Sequence, residues 1–212
     1  MYLMPKQSDL IQLTGELLKT HLRSALQNLT WGSSDYDLHA DRKRFEQRDL
    51  RVAAVLIAIQ IQNGIPHIIL TKRSSALKNH PGQVAFPGGK IDPCDATPIQ
   101  AALRESQEEI ALPPTQVDVL GSLPDHITVT GFRVTPVVAF IEGAFNPIPG
   151  AGEVDEVFRV PFDFLMHPSN YTICKRRFMG YDRRYYTIPY GPYYIWGATA
   201  RMLRAFADCF ES

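Results

Sequence analysis

The sequence predicts an α/β (α+β) fold, a mixed β-sheet covered by helices, behind an N-terminal helical extension. Three observations carry this. Two apolar runs, 51–60 and 67–71, flank an Asn63-Gly64 pair, the strongest short-range signal for a β-hairpin. One segment, Pro98 to Ile110, has helical periodicity with clean start and stop residues. Strand-like and helix-like stretches then alternate irregularly, which does not fit a doubly wound parallel sheet.

The elements follow in order. Residues 8–29 place Leu10, Leu13, Leu17, Leu18, Leu22, Ala25, Leu26 and Leu29 on one helical stripe, weakened at Gly15. Residues 35–49 are polar and charged and read as a solvated linker. The division is therefore 1–49, helix and linker, and 50–212, the functional domain. The hairpin 51–71 is followed by a loop, 74–81, and a short strand, 83–86, ending at Pro87-Gly88-Gly89. The helix 98–110 has Thr97 as N-cap, Pro98 at its first position and Gln100 completing a capping box. Pro113-Pro114 end it. Strands are expected over 117–123, 134–141, 157–160, 171–178 and 185–188, and a last helix over 198–207.

Composition narrows the function. Of 212 residues, 45% are hydrophobic and 21% charged, ordinary for a folded domain. Lys+Arg and Asp+Glu are both 22, so the chain lacks the broad positive field of a nucleic-acid or membrane-surface binder. The longest apolar stretch, 52–59, is far short of the roughly 20 residues that span a bilayer, and the first ten residues lack the apolar core of a secretory signal. Three scattered cysteines, Cys94, Cys174 and Cys209, make neither a disulfide framework nor a zinc site. A cytoplasmic protein is expected.

The chemistry sits on the helix. Ile99, Leu103, Ser106 and Ile110 share the face expected to pack on the sheet, and Glu105, Glu108 and Glu109 are expected on the opposite, exposed face. Like charges at i,i+3 and i,i+4 cost roughly 0.2–0.5 kcal/mol per pair. Arg104 offsets part of that, and a hard divalent cation, which takes carboxylate and carbonyl oxygens, offsets the rest. The Gly88-Gly89 turn just upstream lets backbone carbonyls come close to an ion.

The segment from Gly88 to Leu112 resembles the Nudix box, G-x5-E-x7-R-E-U-x-E-E-x-G-U with U a bulky aliphatic residue. Arg104, Glu105, Glu108 and Glu109 fit its Arg-Glu-x-x-Glu-Glu core, and Leu112 its last position. Three departures stand out: Ala96 replaces the first Glu, the loop after Gly89 is one residue longer, and Ala111 replaces the final Gly. Asp95 or Asp92 is expected to supply the missing acid. The resemblance implies a Nudix-type α/β/α sandwich and a Mg2+- or Mn2+-dependent diphosphatase. Glu105, Glu108, Glu109 and the Gly89 carbonyl are its implied metal ligands, and Arg104 orients Glu105. Glu153, in Gly152-Glu-Val-Asp-Glu-Val157, is the first choice for general base, with Glu156 second.

The preceding stretch, Ile69 to Gly89, is similar to the motif of the coenzyme A diphosphatase branch, L-L-T-x-R-[SA]-x3-R-x3-G-x-[VI]-x-F-P-G-G. Ile69 stands for the first Leu and Lys78 for the second Arg, which keeps charge but loses the planar fork for phosphate. The resemblance covers about 53–207. It implies coenzyme A or acyl-coenzyme A as substrate, cleaved to 3′,5′-ADP and (acyl-)phosphopantetheine. Arg73, Lys78, Lys72 and Gln83 are the substrate-binding residues it implies, with His80 in the same basic cluster. Alternatives are a Nudix diphosphatase for ADP-ribose or a dinucleotide, and a non-catalytic ligand-sensing module, against which the retained glutamates argue. Late aromatics, Phe178, Tyr181, Tyr185, Tyr186, Tyr190, Tyr193, Tyr194 and Trp196, are read mainly as packing, with a share available to a ligand. The expected partner is a small molecule, not nucleic acid or membrane. A homodimer fits the resemblance, with the amphipathic N-terminal helix as the face a second copy covers.

Overall fold

A computed structural model describes residues 15–27, 29, 32–39, 49–178 and 181–210. The start of the expected N-terminal helix and most of the expected linker lie outside them. Helix α1 runs Glu16–Gln27, followed by a two-residue strand β1, Ser33–Ser34. The hairpin forms as β2, Arg51–Gln62, and β3, Ile65–Arg73. Its turn has Asn63 and Gly64 both at positive φ, 52° and 78°, as a two-residue primed turn requires. Then come β4 (Val84–Ala85), β5 (Gly88–Lys90), helix α2 (Pro98–Ile110), β6 (Val117–Ser122), β7 (His126–Ile127), β8 (Phe132–Ile141) and β9 (Val154–Pro161). A short helix α3 (Phe162–Met166) precedes β10 (Thr172–Phe178), β11 (Tyr181–Tyr190), β12 (Tyr193–Trp196) and the closing helix α4 (Ala198–Asp208). Strands β1, β5, β7 and β12 and helix α3 were not expected from the sequence, being too short to carry a periodic signal.

The main sheet is mixed. β2 runs parallel to β8 from Arg51↔Phe132 to Ile59↔Phe140 and antiparallel to β3 over Ile59–Gln62. Beyond Ile59 the two hairpin strands part, and the segment 84–90 enters the gap. There β4 pairs with β3 and β5 with β2, setting Gly88 opposite Val55 and Gly89 opposite Ala54. The glycine turn expected at the end of a strand is thus itself a strand inside the sheet. β9 covers the far edge of β3, and β6 and β7 pair with β8. A separate three-stranded sheet, β10-β11-β12, stands beside this one.

Alternation along the strands makes two cores. On one face Ala54, Leu56 and Ala58 of β2 and Val137 and Ala139 of β8 meet Ala101, Ala102 and Ile110 of α2. The alanines on both sides let this helix lie close to the sheet. On the other face Ile57, Ile59, Val138 and Phe140 pack with Leu18 and Leu22 of α1, Phe162 of α3, and Leu203 and Phe206 of α4. This is the expected α/β/α sandwich. It corrects one expectation: the apolar stripe of α1 is covered by the chain's own sheet, with Leu18 and Leu22 fully buried. The helix is pinned there by Lys19, buried among Glu16, Asp118 and Glu142, and by Arg23 on Asp118 at 2.6 Å. Among the described residues no helix is long and apolar enough to cross a membrane.

Candidate active site

The site forms where α2 passes beneath β5. Thr97 caps the helix, accepting from the Gln100 amide at 3.2 Å, and the Gln100 side-chain Oε1 accepts from the Ala96 amide at 2.8 Å. At the other end Ala111 caps in the left-handed conformation, φ 58° and ψ 31°, its amide donating to Gln107. That is the position where the Nudix box has glycine, and the conformation explains why.

Gly89 lies against Glu105. A Cβ at residue 89 would come within 2.5–2.6 Å of the Glu105 carboxylate, so only glycine allows the backbone so near the acid. Glu105 is half-buried and held by Arg104, whose Nη1 donates to its Oε1 at 3.0 Å. The same nitrogen donates to Glu108 at 3.2 Å, and Glu108 is exposed. Arg104 is itself gripped by Asp95 through Nε and Nη2, at 3.1 and 2.9 Å, and donates to the Lys90 carbonyl. Asp95 therefore supplies the acid that Ala96 lacks, as the clamp on Arg104. That pairing holds the Asp95 carboxyl below its ordinary range. Asp92 sits further off, 3.6 Å from Nη2.

Glu109 corrects the sequence reading. It was expected on the exposed face with Glu105 and Glu108, but its residue is only 3% exposed. Two segments, one before and one after it in the chain, wrap that side of the helix. β5 donates the Gly88 amide to its carboxylate at 3.0 Å. The loop 146–153 is strapped along the helix end, Ile148 and Gly150 donating to the carbonyls of Ile110 and Glu109 at 3.1 and 2.8 Å. Burial pushes the Glu109 carboxyl up to about 7; the Gly88 amide and Arg73, 3.7 Å away, oppose this, and Glu105 and Glu153 add to it. Burial likewise raises Glu105, against Arg104, with Glu108 and Glu153 contributing. Glu153 is exposed on the strapped loop, near enough for its charge to act on both.

Glu156 is occupied elsewhere. Its carboxylate accepts a short hydrogen bond from the Tyr193 hydroxyl, which lifts that phenol to about 12. Tyr193 in turn stacks on Phe158 with ring centroids 3.6 Å apart. The pair joins β9 to β12.

On the other face of the sheet, a cleft of about 630 Å³ opens beside β5. Arg73, His80, Gln83 and Gly89 line it, with Tyr185, Tyr186 and Trp196 on its far wall. Tyr185 and Trp196 meet edge to face at 5.5 Å. Of the basic cluster, Lys72 and Lys78 are not among the lining residues. Lys72 sits opposite Glu156 in the β3–β9 register, and Lys78 is exposed on the loop 74–83. That loop is tied to the one bearing Glu153: Ser74 donates to the Glu153 carbonyl at 2.8 Å and Ser75 to Asp155 at 2.9 Å. The wall formed by 34–39, by β11 and by α4 was not foreseen; it is assembled from segments remote in sequence and carries no local motif.

Among the described residues no three His, Cys, Asp or Glu side chains already converge to hold an ion; Arg104 occupies Glu105 and Glu108 instead. The donor chemistry nevertheless fits a hard divalent cation. All donors are carboxylate or carbonyl oxygens, and the Glu153 charge raises the proton affinity of both Glu105 and Glu109, to which Glu105 adds at Glu109.

The NUDIX domain family matches residues 49–179. Among curated proteins, the chain is similar to "Uncharacterized Nudix hydrolase NudL" of Klebsiella pneumoniae subsp. pneumoniae, 44% identical over 157 residues, covering 74% of this chain and 81% of that protein. The namesake from Enterobacter sp. is 43% identical over the same shares. Among solved structures, a Nudix hydrolase from M. smegmatis, RenU, aligns with 24% identity and a TM-score of 0.47, covering 66% of this chain and 80% of that one. By family match, relatives and box together, this chain belongs to the Nudix hydrolase family.

Proposed function

We propose that the chain hydrolyses the diphosphate bond of coenzyme A or acyl-coenzyme A, giving 3′,5′-ADP and (acyl-)4′-phosphopantetheine. The observation that carries this is the contact of two unlike surfaces at Gly89. Behind it lie the packed carboxylates of Glu105 and Glu109; before it lies a cleft lined with cationic and aromatic side chains. A substrate reaching across that glycine has anionic phosphate at the carboxylate side and needs a cation between. The motif over 69–89 narrows the nucleotide diphosphate to coenzyme A.

Glu105, Glu109, the Gly89 carbonyl and, after release from Arg104, Glu108 would hold the divalent ion. When bound, such an ion neutralises diphosphate oxygens and acidifies water. The chain's own groups do the rest. Arg104, clamped by Asp95, sets the Glu105 rotamer. Arg73 offers a guanidinium to phosphate beside Glu109. Glu153 is assigned as general base, since it is exposed while Glu156 is bound to Tyr193. A cytoplasmic setting suits the free cysteines.

The test is a Mg2+- and Mn2+-supplemented assay of coenzyme A, its 3′-dephospho form, ADP-ribose and a dinucleotide. Coenzyme A is expected to have the highest kcat/KM. Equal or better turnover of ADP-ribose or a dinucleotide would replace the substrate, and silence on every diphosphate would replace the catalytic reading.

A further inference from the structure

The loop 146–153 closes over Glu109 and carries Glu153, so whatever fixes the root of that loop also sets those two acids. The root is Phe145, buried in the core between the sheet and α2. Its carbonyl accepts two hydrogen bonds, from Gln60 Nε2 at 2.8 Å and from Arg159 Nη2 at 3.0 Å. Arg159 Nε donates to Gln60 Oε1 at 2.9 Å, which closes a ring of three bonds. Gln60 follows Leu56 and Ala58 on the α2 face of β2, and Arg159 lies on the same face of β9, opposite Ile69. The two side chains thus meet over β3 and grip one carbonyl of a third segment.

Three features tie this grip to the loop rather than to the sheet. First, Arg159 is half-buried, and no acid among the described residues pairs with it. Burial draws its proton affinity below the ordinary guanidinium range. An unpaired charge inside a protein is costly, and an apolar residue would pack this face without that cost. What arginine adds is a rigid fork that donates in two directions at once. Second, the loop is stiff. Asn146-Pro147-Ile148-Pro149-Gly150 holds two prolines, each fixing its own φ and restricting the residue before it, so a shift at Phe145 is carried along to Gly150. Third, the far end leaves no slack. A Cβ at residue 150 would come within 2.6 Å of the Glu108 carbonyl oxygen. The Gly150 carbonyl accepts the Glu153 and Val154 amides at 3.3 and 3.2 Å, turning the chain into β9. Arg159 is itself on β9, so the loop is clasped at its start by the strand it leads into.

We infer that Arg159 and Gln60 are positioning residues for the hydrolytic site: by fixing the Phe145 carbonyl they seat the loop on the end of α2, which keeps Glu109 covered and Glu153 within electrostatic reach of it. Their effect on turnover rests on the diphosphatase reading. Their effect on the loop does not, and the test reads both.

In the full-length chain, amide hydrogen exchange of the metal-free protein is followed at Ile148 and Gly150 of the loop and at Val137 and Ala139 of β8, alongside Mg2+-supported kcat and KM for coenzyme A. Arg159→Met should speed exchange at Ile148 and Gly150 by about tenfold or more, while Val137 and Ala139 stay within about threefold of the wild type. It should lower kcat by about tenfold or more with KM within about threefold, because neither Arg159 nor Gln60 lines the cleft. Gln60→Met, which also carries the test should Arg159→Met fail to fold, is expected to move both readouts in the same direction. Arg159→Lys keeps the charge without the fork and should behave as Arg159→Met does. Wild-type exchange at 148 and 150, exchange that rises equally in β8, full turnover despite a loosened loop, or rescue by lysine overturns the positioning role and leaves diphosphate hydrolysis standing. A loosened loop in the variants of a chain that hydrolyses no diphosphate overturns the diphosphatase reading and leaves the anchoring of the loop standing.

Discussion

Glu109→Gln separates what the carboxylate does for the fold from what it does for the reaction. The carboxyl is raised from an ordinary 4.5 to about 7, chiefly by burial. Each tenfold gain in proton affinity corresponds to about 1.4 kcal/mol, so ionising this group in the metal-free fold costs about 3–4 kcal/mol. The sign follows from linkage. Below about pH 4.5 the acid is protonated in folded and unfolded chains alike and there is no penalty. Between 4.5 and 7 the unfolded chain loses its proton first, so stability falls with rising pH. Above 7 the penalty is complete. Glutamine has no charge to bury and keeps an oxygen for the Gly88 amide. In EDTA-treated protein at pH 8 the variant should therefore be more stable by about 3–4 kcal/mol, or roughly 6–16 °C in Tm for a chain of this size. At pH 5 the gap should narrow to under about 1 kcal/mol. Added Mg2+ should raise the Tm of the wild type but scarcely that of the variant, since only the former keeps the ligand set, and turnover should fall at least 100-fold. Melting curves from pH 5 to 8.5 read all of this. A Tm difference that is flat across pH, or a variant less stable at pH 8, would refute the burial argument.

Other outcomes follow from the same geometry. Ala111→Gly should stabilise the chain by about 1 kcal/mol with unchanged kcat/KM, because the residue sits at φ 58° without contacting the cleft; thermal melts check it, and a lowered Tm would contradict it. Asp95→Asn should lower kcat by roughly tenfold with little change in KM, because Arg104 loses its clamp but the cleft stays whole; a pure KM effect would show that Asp95 acts on substrate. Glu153→Gln should lower kcat at least tenfold with little change in KM. Glu156→Gln should leave kcat near that of the wild type and cost about 1 kcal/mol of stability through the Tyr193 bond. The reverse pattern would exchange the two roles.

Much of the site was legible because its signals are local. The caps of α2, the primed turn at Asn63-Gly64 and the spacing of Arg104, Glu105, Glu108 and Glu109 each depend on a few neighbouring residues and on helix or strand periodicity. What surrounds a helix is not local. Periodicity sorted Glu109 with the exposed acids, but β5 and the loop 146–153 close over it. Asp95 and Asp92 were equivalent in the sequence; only the course of the loop decided that Asp95 meets Arg104 in a two-pronged pair. That Glu156 is engaged by a hydroxyl while Glu153 stays exposed depends on Tyr193, nearly forty residues away.

The amino-acid order by itself determined the chemistry present here: three glutamates and an arginine on one helix, behind a glycine pair and beside a basic loop. Identity and spacing along the chain suffice for that, since a helix or hairpin answers to its own residues. Tertiary structure alone decided which acid is stripped of water, which is tied to a tyrosine, and where the cleft ends. Desolvation, and charge felt across a low-dielectric interior, depend on whatever happens to be packed within a few ångströms, and in this fold those neighbours come from segments distant in the chain.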